Sequence, residues 1–209
     1  MGVRLAEAGA LRPRVIAAMR QTRGMPPETR DVPELLTSRR EVFTGQLLQV
    51  FRDEVDLGDG RPGVREVIHH PGAAAVVALT DDDRAVLVRQ WRHAVGRAMW
   101  ELCAGTRDGD EDFAVCARRE LAEETGYSAS RWRKLGVGAV SPGYSDESIH
   151  IYLARGLVAG ASAQDDDENV VTALFNRTEV LELIAAGATD LKTIAGLALA
   201  GWLAPPGHG

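Results

Sequence analysis

Four charged side chains fall within the six residues Arg119-Glu120-Leu121-Ala122-Glu123-Glu124. On a helix, at about 100° per residue, Glu120 and Glu124 project about 40° apart and Glu123 lies about 60° from Glu120. All three carboxylates therefore share one face. At that spacing they repel one another and weaken the helix, so the triplet wants a positive counterpart. One answer is a solvated face neutralised by Arg118 and Arg119, although Arg118 projects to the far side and Arg119 comes near Glu123 only. The other is a hard divalent cation, since clustered carboxylate oxygens are what Mg²⁺ or Mn²⁺ takes, and Mg²⁺ commonly bridges them to phosphate. The triplet alone leaves both open.

The elements that must carry this cluster follow from patterning. The segment from Glu111 to Thr125 has the length and composition of a helix and ends at Gly126, a residue suited to a C-terminal cap. Upstream, Ala73–Thr80 and Ala85–Trp91 are continuous apolar runs separated by the acidic turn Asp81-Asp82-Asp83. Such runs suit strands buried on both faces, and Trp91 and Trp100 read as core aromatics. Further strands are expected at Leu135–Val140, Ser148–Ala154 and Val170–Phe175, with helices at Glu179–Ala186 and Leu191–Trp202. Alternation of this kind predicts an α/β domain in which helices cover a mixed sheet. Before it, Glu41 to Asp56 is β-compatible. The turn residues Gly58-Asp59-Gly60 and Arg61-Pro62-Gly63 then lead to a strand at Val64–His69, which predicts a small antiparallel β segment. The division expected is a flexible extension over residues 1–37, a β segment over 38–70 and the main domain over 71–209.

Composition narrows the function class. A formal net charge of −6 disfavours a general binder of nucleic acid or anionic membrane, both of which select basic surfaces. An anionic small substrate would need local arginines or a bound cation. Cys103 and Cys116 lack metal-ligand spacing and are too few for a disulfide framework; they read as buried thiols of a protein in a reducing cytoplasm. No stretch approaches the roughly 18 apolar residues needed to span a bilayer. The arginine-rich residues 1–24 read as a tail, with Met25 a second candidate start; they contain no apolar core of a secretion signal.

In context the triplet reads Gly105-x5-Glu111-x7-Arg119-Glu120-Leu121-x-Glu123-Glu124-x-Gly126-Tyr127, which resembles the Nudix box at every fixed position. Coincidence on that scale is on the order of once in a million at average residue usage. Tyr127, where an aliphatic residue is usual, is the one departure, and it touches packing rather than chemistry. The resemblance implies an α/β/α sandwich with a mixed central sheet, and hydrolysis of a nucleoside diphosphate linked to another group. It implies Mg²⁺, with Mn²⁺ as substitute, held by Glu120, Glu124 and the carbonyl of Ala104. Glu123 would join when substrate brings further metal, and Arg119 would pair with Glu123 to orient the acidic face.

Within that superfamily the chain resembles the ADP-ribose pyrophosphatases. Pro142 follows Gly126 by sixteen residues, inside Ser141-Pro142-Gly143-Tyr144-Ser145-Asp146-Glu147. Arg65-Glu66-Val67, His70-Pro71-Gly72-Ala73, Arg89-Gln90-Trp91-Arg92 and Glu101-Leu102-Cys103-Ala104-Gly105 add to the likeness. Trp91 and Cys103 depart from the usual tyrosine and proline. By similarity Arg65 and Arg92 would contact the diphosphate or the terminal ribose, and Glu101 a sugar hydroxyl. Glu168, in the acidic run Asp165-Asp166-Asp167-Glu168, would be the catalytic base, with Glu147 second. A homodimer is implied in which residues 38–70 of one subunit help bind the other's adenosine. The alternatives are a hydrolase of GDP-mannose, FAD or NADH, a non-catalytic ADP-ribose-binding sensor of the same fold, and a structural module whose acidic helix is coincidental.

Overall fold

The computed structural model describes residues 33–160 and 170–204. The described residues open with β1 (Leu35–Thr44), β2 (Gln49–Asp56) and β3 (Pro62–His69), an antiparallel sheet in the order β1-β2-β3. Its second turn closes as the glycines required: Gly58 and Gly60 lie at positive φ, and both backbone amides donate to Asp56 Oδ1, at 2.8 and 2.9 Å. β1 starts at Leu35, three residues before the expected boundary, and pairs there with Asp56.

The main domain contains β4 (Ala73–Ala78), β5 (Ala85–Arg92), β6 (Arg97–Glu101), β7 (Cys103–Thr106), helix α1 (Phe113–Thr125), β8 (Tyr127–Ala139), β9 (Ser148–Ala159), β10 (Val171–Phe175), α2 (Arg177–Ala185) and α3 (Leu191–Leu199). One sheet has the order β7-β4-β9-β8 and is mixed, with β4 and β9 parallel and the other pairs antiparallel; a second has the order β10-β5-β6 and is antiparallel.

β4 shows why the layers form. All six of its residues are buried, and successive side chains point to opposite faces. Ala73, Ala75 and Val77 join one core with Leu197 of α3 and Val180 of α2, while Ala74, Val76 and Ala78 join another with Cys116, Ala117 and Leu121 of α1. A strand apolar at every position is thus sandwiched by helices on both sides, which is the expected α/β/α architecture.

Four local expectations are corrected. The helix starts at Phe113 rather than Glu111, because Asp112 caps it by accepting from Ala114 N at 2.7 Å. β6 and β7 are too short and mixed in polarity to stand out. β8 extends back to Tyr127, where an exposed, alternating polar face hid the strand. Trp91 is not core: it is 63% exposed near the end of β5, past the buried Ala85–Val88 stretch. Trp100 does pack on the core, edge to face with Phe175 at 4.7 Å.

Candidate active site

Helix α1 decides the first question about the glutamates. Its buried residues are Cys116, Ala117, Glu120, Leu121 and Glu124, so two of the three carboxylates lie on the face turned to the sheet. Glu120 is 9% exposed and Glu124 4%, whereas the Glu123 side chain is 42% exposed. A solvated acidic face does not describe them. Buried carboxylates cost several kcal/mol unless paired or hydrogen-bonded, and the neighbouring strand supplies part of what they need. Ala104 N in β7 donates to Glu124 Oε2 at 3.0 Å. Gly105 leaves room for Glu120: a Cβ there would stand 1.9 Å from the Glu120 Cδ and Oε1.

Arg119 ties the acids together. Its Nη1 donates to Glu120 Oε1 at 2.7 Å and to Glu123 Oε2 at 3.0 Å, while Nε and Nη2 grip both oxygens of Glu111 at 3.1 and 2.9 Å. Nη2 also donates to the Thr106 carbonyl at 3.2 Å. The expectation that Arg119 comes near Glu123 only is therefore too narrow. Glu111 was hidden by reading it as the first helical residue, two turns from Arg119; lying ahead of the cap, it folds back instead. The Arg119 bond holds the Glu111 carboxyl below its ordinary range.

Among the described residues no three His, Cys, Asp or Glu side chains converge on one point. The donors expected for a hard divalent cation, the Glu120 and Glu124 carboxylates with the Ala104 carbonyl, are an all-oxygen set of the kind such a cation takes. The two thiols beside them are chemically quiet. Burial, reinforced by Glu120, pushes Cys116 up to about 11, and burial with Glu124 and Glu120 pushes Cys103 well up. Both are unpaired, buried cysteines, as expected.

A cleft of about 870 Å³ is lined by Ala104 and Gly105, and among others by Arg92, Glu101, Glu147 and Lys192; no residue of α1 lines it, so the buried glutamates adjoin it through β7. Arg92 Nε and Nη2 donate to Glu101 Oε1 and Oε2 at 2.8 and 2.7 Å, and Lys192 Nζ donates to Glu101 Oε2 and to Asp190 Oδ2. Burial alone would raise the Glu101 carboxyl, but the Arg92 hydrogen bonds and the charge of Lys192 outweigh it and hold it at about 2. Lys192 and Asp190 were missed by sequence reasoning: Lys192 lies 91 residues from Glu101, and only the N-cap role of Asp190 before an apolar helix was there to be read.

The remaining expected residues separate. Glu147 reaches the cleft at the end of a loop pinned by Asp146, which accepts from His70 N at 2.9 Å and meets His69 Nδ1 at 2.6 Å. Arg65 does not line the cleft of its own chain; it is bonded to Glu34 across the N-terminal sheet. Glu168 lies outside the described residues.

Residues 69–196 match the family model of the NUDIX domain. The chain is 38% identical over 157 residues to a methanol dehydrogenase activator of Bacillus methanolicus, covering 74% of this chain and 85% of that protein. To an ADP-ribose pyrophosphatase of Bacillus subtilis it is 32% identical over 167 residues, covering 78% and 90%. Among solved structures, an ADP compounds hydrolase superposes with a TM-score of 0.71 at 20% identity, covering 81% of this chain and 94% of that one, a likeness of fold. With the box intact and Glu120 and Glu124 buried against β7, the match over residues 69–196 places this chain in the Nudix hydrolase family.

Proposed function

We propose that this protein hydrolyses the diphosphate bond of ADP-ribose to AMP and ribose 5-phosphate, with Mg²⁺ bound at Glu120, Glu124 and the Ala104 carbonyl. The observation that carries the reading is the burial of Glu120 and Glu124 against Ala104 and Gly105, two residues that also line the cleft holding Arg92. The relative named ADP-ribose pyrophosphatase supports the choice of substrate.

A divalent cation held by Glu120, Glu124 and Ala104 would supply positive charge to the phosphoryl oxygens and would lower the pKa of water, easing its deprotonation to the nucleophile. The chain's own residues do the rest. Arg92, its planar fork anchored by Glu101, contacts a phosphate or the terminal ribose. Arg119 acts as a positioning residue by holding Glu120 and Glu123 in register with Glu111. Glu123, the most exposed of the four box glutamates, joins as an additional ligand. A carboxylate not bound to metal accepts the proton of the attacking water, and Glu168 is the first assignment. Glu147, whose backbone amide is held by Ser145 Oγ at 3.1 Å, is the second. Glu168→Gln should retain Mg²⁺ and substrate binding and lose most turnover; an unchanged rate removes Glu168 from the mechanism and moves the test to Glu147→Gln.

The same reading takes the protein as a cytoplasmic homodimer. Every residue of β1 is exposed, including Leu35, Leu36, Val42 and Phe43, which supports residues 38–70, Arg65 among them, working across a subunit boundary. Light scattering at assay concentration checks this; a monomer counts against it. No described helix is long and apolar enough to cross a membrane.

The decisive experiment incubates purified protein with ADP-ribose, FAD, GDP-mannose and NADH in Mg²⁺ and identifies the products. AMP with ribose 5-phosphate from ADP-ribose, at the highest kcat/KM of the four, is the expected outcome. Turnover of another substrate in its place, or binding of ADP-ribose without cleavage, refutes the proposal.

A further inference from the structure

Similarity gives the sugar hydroxyl to Glu101, but that side chain is 1% exposed and both its oxygens are taken, by Arg92 and Lys192. Beside it in the cleft lining stand Lys192, which it holds, and Asp190, which is bonded to Lys192. Arg92, Lys192, Glu101 and Asp190 are two cations and two carboxylates, so their formal charges cancel. Such a cluster lacks the uncompensated positive field that selects a phosphate. It offers a hydrogen-bond donor next to an acceptor.

The inventory of bonds leaves capacity on both partners. An ammonium has three donors, of which Glu101 and Asp190 take two. A carboxylate has about four acceptor sites; Asp190 Oδ1 accepts from Thr193 N at 3.0 Å and Oδ2 from Lys192. The pair is also fixed before any ligand arrives. Asp190 caps α3, and fully buried Thr193 accepts from Leu102 N at 2.9 Å, tying that cap to the residue after Glu101. The Lys192 side chain retains 16% exposure.

We infer that Lys192 and Asp190, held by Glu101 at the start of α3, read a ribose diol of the nucleotide substrate. Each hydroxyl of a vicinal diol donates and accepts, which matches an ammonium beside a carboxylate. The inference rests on the ADP-ribose reading above and adds which residues recognise the sugar.

The test uses the full-length protein with Lys192→Met, and Lys192→Arg as the conservative variant. Removing a charged hydrogen bond predicts that KM for ADP-ribose rises roughly ten- to a hundredfold, while kcat falls less than threefold. Competitive inhibition by AMP or by ribose 5-phosphate, whichever carries the diol that is read, should weaken in step, and inhibition by pyrophosphate should not. Lys192→Arg recovers most of the loss. Should Lys192→Met fold poorly by circular dichroism, Asp190→Asn keeps the helix cap and reproduces the KM effect. An unchanged KM, or pyrophosphate inhibition weakened as much as that of either product, overturns the inference. If the wild type leaves ADP-ribose uncut, the functional reading fails by itself. The pair is then judged by calorimetric titration of AMP and of ribose 5-phosphate into wild type and Lys192→Met, where equal affinities of the two proteins for both compounds overturn it.

Discussion

Replacing Gly105 by alanine should disable the metal site while leaving the fold almost untouched. The new Cβ would stand 1.9 Å from Cδ and Oε1 of Glu120 and 2.2 Å from Oε2, where nonbonded carbon contacts settle near ~3.5 Å. The group it meets is the far end of a flexible side chain, so the carboxylate gives way and β7 stays. The displacement required is about 1.5 Å, several times the ~0.2 Å within which metal–ligand distances are held. A misplacement of about 1 Å in a reacting constellation can cost about 100-fold in rate. We therefore expect kcat/KM for ADP-ribose to fall about 100-fold or more and the Mg²⁺ half-saturation to rise. The contact most at risk is the 2.7 Å Arg119–Glu120 bond, worth about 1 kcal/mol at this partly exposed position. The thermal midpoint should drop by only about 2–4 °C. The double variant with Glu120→Gln should be no worse than Glu120→Gln alone, because both changes remove the same ligand. Steady-state kinetics across an Mg²⁺ series, with a thermal melt of each variant, provide the measurement. Gly105→Ala turning over within threefold of wild type at the same Mg²⁺ half-saturation would refute the reasoning, as would losses that multiply in the double variant.

Other outcomes follow from the same contacts. Arg119→Lys cannot reproduce a guanidinium that grips Glu111 through two nitrogens while reaching Glu120 and Glu123; a denaturant melt should show a loss of about 2 kcal/mol, with kcat down at least about tenfold. Glu101 has a folded-state value of about 2, below its ordinary 4.5. Its contribution to stability is therefore complete above about pH 4.5 and is lost as pH falls from there through about 2. Urea melts across that window should show the loss in wild type and a flatter profile in Glu101→Gln, and parallel profiles contradict the assignment. Chelation with EDTA should abolish turnover and excess Mg²⁺ restore it. Mg²⁺ should also raise the thermal midpoint of wild type but not of Glu120→Gln, since only a ligand that binds the folded site stabilises it.

Much of the fold was legible because its determinants are local. The glutamates fall on one helical face by a periodicity that the backbone imposes, and Gly126 ends that helix at positive φ, as a left-handed cap residue should. Ala73–Ala78 announced a strand covered on both faces because each of its residues is apolar. Legibility ended where a residue's fate depended on what lies across the sheet. Trp91 belongs to an apolar run, yet β5 has left the core by the time it is reached. Glu111 was misjudged through a helix boundary two residues off, enough to hide its grip on Arg119.

By itself, then, the sequence determined which side chains share the box helix, that an apolar strand runs beside it, and the family chemistry such a box implies. The tertiary structure decided that Glu120 and Glu124 are buried while Glu123 is not, that Glu120 occupies the space a Gly105 side chain would fill, and that Lys192 joins Asp190 to Glu101 across 91 residues of chain. The physical reason is one of range: backbone periodicity acts over a few residues and can be counted along a chain. Burial and long-range ion pairs exist only once α1 has packed on β7 and the start of α3 on Glu101 and Leu102.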